Sequence, residues 1–490
     1  MQSAKDAKIL TLFKNLDKNM ELFGGVFKKD AILRSRRITS KSGIDFGIIY
    51  FDGMVNNELI NESVIRPLIL LSEDFPDDRA SFISRRCLFS GDVKTSQKCE
   101  DVIRAVLYGD VALFTEGCDK ALLINAKGWR QRGISEPENE RILQGPREGF
   151  DEAGMFNVAL IRRKLLTPDF SVEVMRIGER TDTFVFICYL DSLCDDKLLR
   201  ELRHRLSKIN IDGVLDTNYI NEHIRDFKGS LFKTSGTTER PDIVAANLLE
   251  GRVALIVDGT PVVLTVPYLF AENFQSDEDY YTNYKMASVS RILRAVCFII
   301  SITLPGLYLS VISFNAGLLP AKFALFVSAS RAGVPFTPLT ECIVLLFAFE
   351  ILKESGLRMP QSVGHALGIV GGLVVGQSAV EARVVSAPLL IAVALAGIAG
   401  LTVPRLRTAV FFYRLLITLL ATAFGIYGVA GGLLLMLCRI TEIRSFGAEY
   451  TEALRDLSPE TLKDTAVRNS WTRMIRRPSI QNKNKKRQKL

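Results

Sequence analysis

AVCFIISITLPGLYLSVISF, residues 295–314, is a run of 20 residues without a charge. A stretch of that length spans the hydrocarbon core of a bilayer as a helix. Pro305-Gly306 falls inside it and predicts a kink, tolerable where neighbours satisfy the carbonyl that proline frees. Outward from this run the composition changes in both directions. The first 290 residues carry frequent Lys, Arg, Asp and Glu, charges are sparse from Ala295 to Cys438, and from Arg439 they return. The chain has 490 residues, 48% of them apolar, with 24% charged and a mean hydropathy of +0.18. That combination fits two solvents rather than one uniform globule.

Further apolar segments follow the first. Residues 318–334 contain Lys322 and Arg331 and suit an interfacial or re-entrant helix. Residues 338–352 carry Glu341 and Glu350 in an apolar run, and 363–380, 384–403 and 409–438 complete the set. Arg291/Arg294, Arg405/Arg407 and the C-terminal tail all favour one side by the positive-inside rule. They cannot all have it if every segment spans, and re-entry of the short 338–352 helix relaxes the conflict. The expected membrane part therefore has four or five spans and a re-entrant helix.

The soluble part reads as α/β. FGIIYF (46–51) before Asp52-Gly53 and FVFICYL (184–190) are strands, and DDKLLRELRHRLSKI (195–209) is a helix with acidic residues in its first turn. GDVALFTEG (109–117) and GRVALIVDG (251–259) share G-x-V-A-L-x-x-x-G, with Leu107 and Leu249 two residues ahead and Leu122 and Leu264 thirteen after the first glycine. Each predicts a helix ending at glycine and then a hairpin turning at the second glycine. Similarity at a 142-residue spacing predicts two related subdomains. Residues 1–40 show little periodic signal. The expected organisation is 1–40 variable, 41–148 and 149–285 the two α/β subdomains, 286–440 the transmembrane domain and 441–490 a basic tail.

That tail has no acidic residue after Asp464 and holds Arg473, Arg476, Arg477, Lys483, Lys485, Lys486, Arg487 and Lys489, a local source of the +8 net charge. Beside a membrane domain such a run points to anionic lipid rather than nucleic acid. Eight cysteines without a CxxC pair and three histidines predict neither a metal site nor a disulfide framework. No nucleotide-binding, hydrolase or metalloprotease motif occurs, so neither an enzyme nor a cofactor is expected.

Function points to the membrane part. Gly364, Gly368, Gly371, Gly372 and Gly376 are spaced for close helix packing. A helix packed on its own copies around an axis would turn Val370, Val374 and Gln377 to a pore, with Glu381 at one mouth. Glu341 and Glu350 are costly intramembrane carboxylates.

The longest motifs resemble a known family. TERPDIVAANLLEGRVALIVDGTP (238–261), SEPENE (135–140), GPREGF (145–150) and NVALIRR (157–163) resemble the GerA-type spore germination proteins, the A subunits of germinant receptors. GLLP (317–320), GVPF (333–336), ESGLR (354–358) and GGLVVGQSAVEA (371–382) extend the resemblance to about residues 100–450. It implies residence in the spore inner membrane with the soluble part on the cytoplasmic or core side. It also implies a transporter-like, nutrient-binding B subunit, a C-subunit lipoprotein, and a homo-oligomer forming a ligand-gated cation channel. A paralogue encoded with the SpoVA proteins, a secondary transporter and a non-conducting scaffold are the alternatives.

Overall fold

A computed structural model describes residues 10–72, 79–128, 140, 142, 144–358, 376–452, 464–465, 467–477, 483–484 and 486–487. The first α/β unit contains α1 (Leu16–Val26), β1 (Leu33–Thr39), β2 (Asp45–Phe51), β3 (Val93–Ser96), α2 (Cys99–Leu107), β4 (Val111–Thr115) and β5 (Ala121–Ile124). The second contains α3 (Gly154–Lys164), β6 (Phe170–Ile177), β7 (Thr183–Leu190), α4 (Asp196–Ser207), α5 (Thr217–Ile224), β8 (Gly236–Thr238), α6 (Pro241–Leu249), β9 (Val253–Val257) and β10 (Val263–Val266). Each unit is one five-stranded antiparallel sheet, in the orders β1-β2-β4-β5-β3 and β6-β7-β9-β10-β8. The two orders are the same when strands are counted within each unit.

The correspondence extends to single atoms. Asn19 accepts from the Phe13 N–H and donates back to its carbonyl, and Asn157 does the same six residues after Asp151. Glu116 accepts the Leu16 N–H at the start of α1, and Asp258 accepts the Gly154 N–H at the start of α3. An anion at a helix N-terminus satisfies a donor that has no partner within the helix. The next residues, Gly117 and Gly259, donate to the Lys14 and Glu152 carbonyls. Both glycines turn hairpins at positive φ (79° and 93°), as the repeated motif predicts. Residues 1–40, read as lacking periodicity, hold α1 and β1, the counterparts of α3 and β6.

Apolar residues are near-continuous along the central strands because both sheet faces are covered. Val185, Ile187 and Tyr189 pack toward α4 and α5, while Phe186, Cys188 and Leu190 enter a core shared by both units. The period of two along a strand separates these two sets. The units are stapled by Arg162 of α3, which is fully buried. Its guanidinium donates to Asp30 and lies over Phe51 of the first unit and Phe170 of the second, at 4.0 and 4.8 Å from the ring centroids.

Described residues 284–442 are mainly helical: α7 (Tyr284–Phe314), α8 (Ala321–Arg331), α9 (Pro338–Arg358), α10 (Gly376–Glu381), α11 (Ala387–Leu401), α12 (Arg407–Phe424) and α13 (Ile426–Glu442). A short hairpin, β11 (Arg444–Ser445) and β12 (Ala448–Glu449), returns the chain to the second unit. Among the described residues, two stretches, Tyr284–Phe314 and Pro404–Phe424, are long and apolar enough to cross a membrane, with Ala387–Leu401 a shorter apolar helix. Length and composition thus mark two spans among the described residues. Charges dilute α9, and α13 is 17 residues long.

Two sequence readings change in this region. Residues 409–438, taken as one apolar segment, are two helices turning at Gly425, whose φ of 60° suits glycine. Gly428 then sits against the Leu420 carbonyl, where a Cβ would come within 2.0 Å. The helix expected to re-enter over 338–352 is the 21-residue α9. It packs Cys342 and Leu346 beside Leu389 at one end of the bundle and pairs Glu354 with Arg407 at the other. With α12 running out and α13 returning, all three basic clusters meet the α/β side. Arg291 and Arg294 bind Asp279, Arg405 binds Asp277, and Asp464 of the tail binds Arg291.

Replacing Arg162 leaves Asp30 as an unpaired buried carboxylate. Arg162→Met should lower the stability of the chain by about 3–5 kcal/mol, and Arg162→Met/Asp30→Asn by clearly less. Denaturant unfolding followed by circular dichroism checks this; equal losses in the two variants contradict it.

Candidate functional site

Three sets of polar groups are built into the helical bundle. At the end remote from the α/β units, Glu341 of α9 is fully buried. Its carboxylate accepts the Ser386 N–H and hydroxyl, both at 3.0 Å, and faces Arg331 of α8 at 3.5 Å. Ser386 is the residue that starts α11, so Glu341 satisfies the first donors of that helix from outside. At the end near the α/β units, Glu350 pairs with Lys353 at 2.6 Å and with Arg407 at 3.6 Å, and Arg407 reaches Glu354 at 2.6 Å. The two carboxylates that the sequence marks in an apolar run therefore occupy opposite halves of α9, each with a cationic neighbour.

The middle set was not anticipated. Pro305 has no N–H to offer the Ser301 carbonyl four residues back. Arg414 of α12 supplies the missing donor. Its Nε donates to the Ser301 carbonyl at 2.6 Å and its Nη2 to the Ala396 carbonyl of α11 at 3.0 Å. α7 runs through Pro305 as one 31-residue helix. A cation deep in a bundle costs a few kcal/mol unless it is paired or bonded to carbonyls. Arg414 is 6% exposed and takes the carbonyl route. The crossing needs small neighbours: a Cβ on Gly400 would meet Arg414 Nη2 at 2.9 Å, and one on Gly306 would meet the Ile417 carbonyl at 3.2 Å. Gly306 is thus a contact point between α7 and α12. An arginine inside the run 409–438 was the available signal, but its partners are backbone atoms that no residue pattern advertises.

Of the proposed pore residues, Val370 and Val374 lie outside the described residues, as do Gly364, Gly368, Gly371 and Gly372. Gly376 opens α10, where Gln377 donates to Glu381 at 2.7 Å. Both side chains are exposed in the single chain, and α10 contains no buried residue.

At the junction with the α/β part, Asp279 accepts from Arg291 (2.9 Å) and from both terminal nitrogens of Arg294 (2.9 and 2.8 Å). Burial would raise its carboxyl, but hydrogen bonds from Arg294, the Ser276 N–H and Arg291 hold it below the usual carboxylate range. Beside this cluster an apolar core runs without a break from Phe232 and Tyr268 of the second unit to Phe298, Tyr413 and Ile417 of the helices. Three described basic residues of the tail lie along the second unit. Arg477 donates to the Leu249 carbonyl, Arg487 pairs with Glu250, and Lys483 pairs with Asp196.

Arg414→Met should destabilise the detergent-solubilised chain, and adding Pro305→Ala should recover part of the loss because the alanine N–H bonds the Ser301 carbonyl. The coupling between the two sites should be on the order of 1 kcal/mol in a double-mutant cycle of thermal unfolding. Simple additivity would disprove the pairing.

Comparison with known proteins adds to this geometry. The family described as Bacillus/Clostridium GerA spore germination protein matches residues 17–480. Spore germination protein KA of Bacillus subtilis (strain 168) is 37% identical over 494 residues, covering 99% of this chain and 90% of that protein. The uncharacterized membrane protein YfkQ of the same organism is 35% identical over 466 residues, covering 95% and 91%. Spore germination protein B1, also from Bacillus subtilis, is 34% identical over 437 residues, covering 88% and 90%. A solved structure, the N-terminal domain of the A subunit of the Bacillus megaterium spore germinant receptor GerK3, is 30% identical with a TM-score of 0.43. It covers 53% of this chain and 98% of that one.

Proposed function

This chain belongs to the GerA spore germination proteins, and on that premise we propose that it assembles as the A subunit of a nutrient receptor into a ligand-gated cation channel of the spore inner membrane. A role in spore germination and a membrane location follow from the family and the apolar helices. The finer reading is ours: a transporter-like B subunit binds nutrient, a C-subunit lipoprotein joins the complex, and copies of this chain surround a pore. In it α7, α11, α12 and α13 supply four spans and α9 is a fifth or a re-entrant helix, the α/β units face the cytoplasm or core, and the tail touches anionic lipid.

The observation that carries the reading is the exposed face of α10. Gln377 and Glu381 are bonded to each other and exposed in the single chain, which suits a surface completed by further copies. A ring of such carboxylates favours cations, and the apolar Val370 and Val374 earlier in the segment would gate by dewetting. The unbroken core between the second α/β unit and α7, α12 and α13 supports a coupling in which nutrient on the partner shifts the population of closed and open rings. A secondary transporter with a broken helix at Pro305 is disfavoured, because α7 continues through that residue.

Reconstituting the receptor in liposomes and following nutrient-triggered cation flux tests the proposal. Val374→Trp or Val370→Trp should cut flux by about tenfold or more, whereas Val374→Ala should leave a leak. Unchanged flux in all variants removes the pore assignment, and absence of flux in the wild type favours a non-conducting scaffold.

A further inference from the structure

Between α6, the turns at 270–280 and the start of α12 lies a cavity of ≈ 250 Å³. Trp471 and Arg487 of the C-terminal segment close one side of it. Charged side chains line it, and most are matched to one another. Asp277 faces Arg405 at 3.4 Å, and Glu272 and Glu250 pair with Arg252 at 2.5 and 3.2 Å. Glu140 accepts from the Thr238 hydroxyl at 2.6 Å and the Glu239 N–H at 3.0 Å.

Beyond those pairs, Lys233 and Asp242 are a base and an acid of the lining whose charged ends are not matched to each other. The Lys233 ammonium, on the loop entering β8, lines the cavity without a hydrogen bond or ion pair among the described residues. Burial, and then the nearby Arg405, push it below the usual lysine range. Asp242 of α6 has a side chain only 8% exposed. Its Oδ2 is taken by Arg240 and Tyr281, and its Oδ1 has no partner among the described residues. Lys233 is half-buried, while Asp242 Oδ1 is buried, and a buried acceptor without a partner is costly unless something completes it.

We propose that the cavity binds a small organic acid carrying a hydrogen-bond donor, its carboxylate on Lys233 and its donor on Asp242 Oδ1. The cavity is below the size of drug-like pockets, which suits a molecule of few heavy atoms. Such a ligand would join the second α/β unit to Arg405, at the head of the stretch leading into α12, beneath the folded-back tail. The site stands apart from the channel reading, and each can fail without the other.

The test uses the full chain in detergent, with thermal unfolding measured against glycolate (a carboxylate with a hydroxyl), acetate (no donor) and inorganic phosphate. Glycolate should raise the unfolding temperature most. Lys233→Gln should bind it at least about tenfold more weakly while unfolding like wild type without ligand, since the lysine has no partner to lose. The exposed Lys228→Gln should keep the full glycolate response. No shift from any probe in the wild type, or equal shifts in wild type and Lys233→Gln, overturns the site. A shift with phosphate alone overturns the organic-acid assignment.

Discussion

At the neck of the molecule, one carboxylate holds two arginines of the first long helix while the tail reaches the same place from the far end of the sequence. Asp279 binds Arg291 and Arg294, and Asp464 reaches Arg291 and Tyr280. These charges lie beside the aromatic cluster of Phe232, Phe270, Tyr413 and Tyr450. Ion pairs fix register there and apolar burial supplies cohesion. The second α/β unit is therefore joined to the helices by packed surface rather than by a linker. Movement of that unit must be answered by α7 and α12, or the cluster must open.

Inside the bundle the governing constraint is backbone satisfaction. Pro305 removes a donor, Arg414 replaces it, and Gly306 and Gly400 make room for the approach. Each residue looks unfavourable alone: a proline in a helix, a cation in an apolar run, and glycines where larger residues would bury more surface. Together they close a three-helix contact. Glu341 acts similarly, supplying acceptors to the start of α11.

Sequence reasoning reached the parts of this design whose signal is local. FVFICYL and FGIIYF read as strands because they are buried on both faces, and the repeated G-x-V-A-L pattern marks the duplicated hairpin in the sequence itself. The helix α1 escapes that reading although Leu16, Met20 and Phe23 recur at helical spacing and form its core contacts. Asp17, Lys18 and Glu21 between them mask the pattern. The split of 409–438 was missed because two apolar helices turn at Gly425 without a polar loop. Glu341 and Glu350 stand out in the sequence as acids in an apolar run, but not their partners, since Ser386 and Arg407 are distant in sequence. Arg414 was legible only as an anomaly, its acceptors being main-chain carbonyls.

The paired Asn19 and Asn157 bracings carry a consequence of their own. They are the same stereochemical device, set into two copies of one plan, yet among the described residues the apolar cluster that runs into the helices is built from the second copy. The protein thus contains its own control. An identical substitution at the two asparagines perturbs an unanchored and an anchored version of one motif within a single molecule, and the difference in response isolates what attachment to the bundle contributes to rigidity.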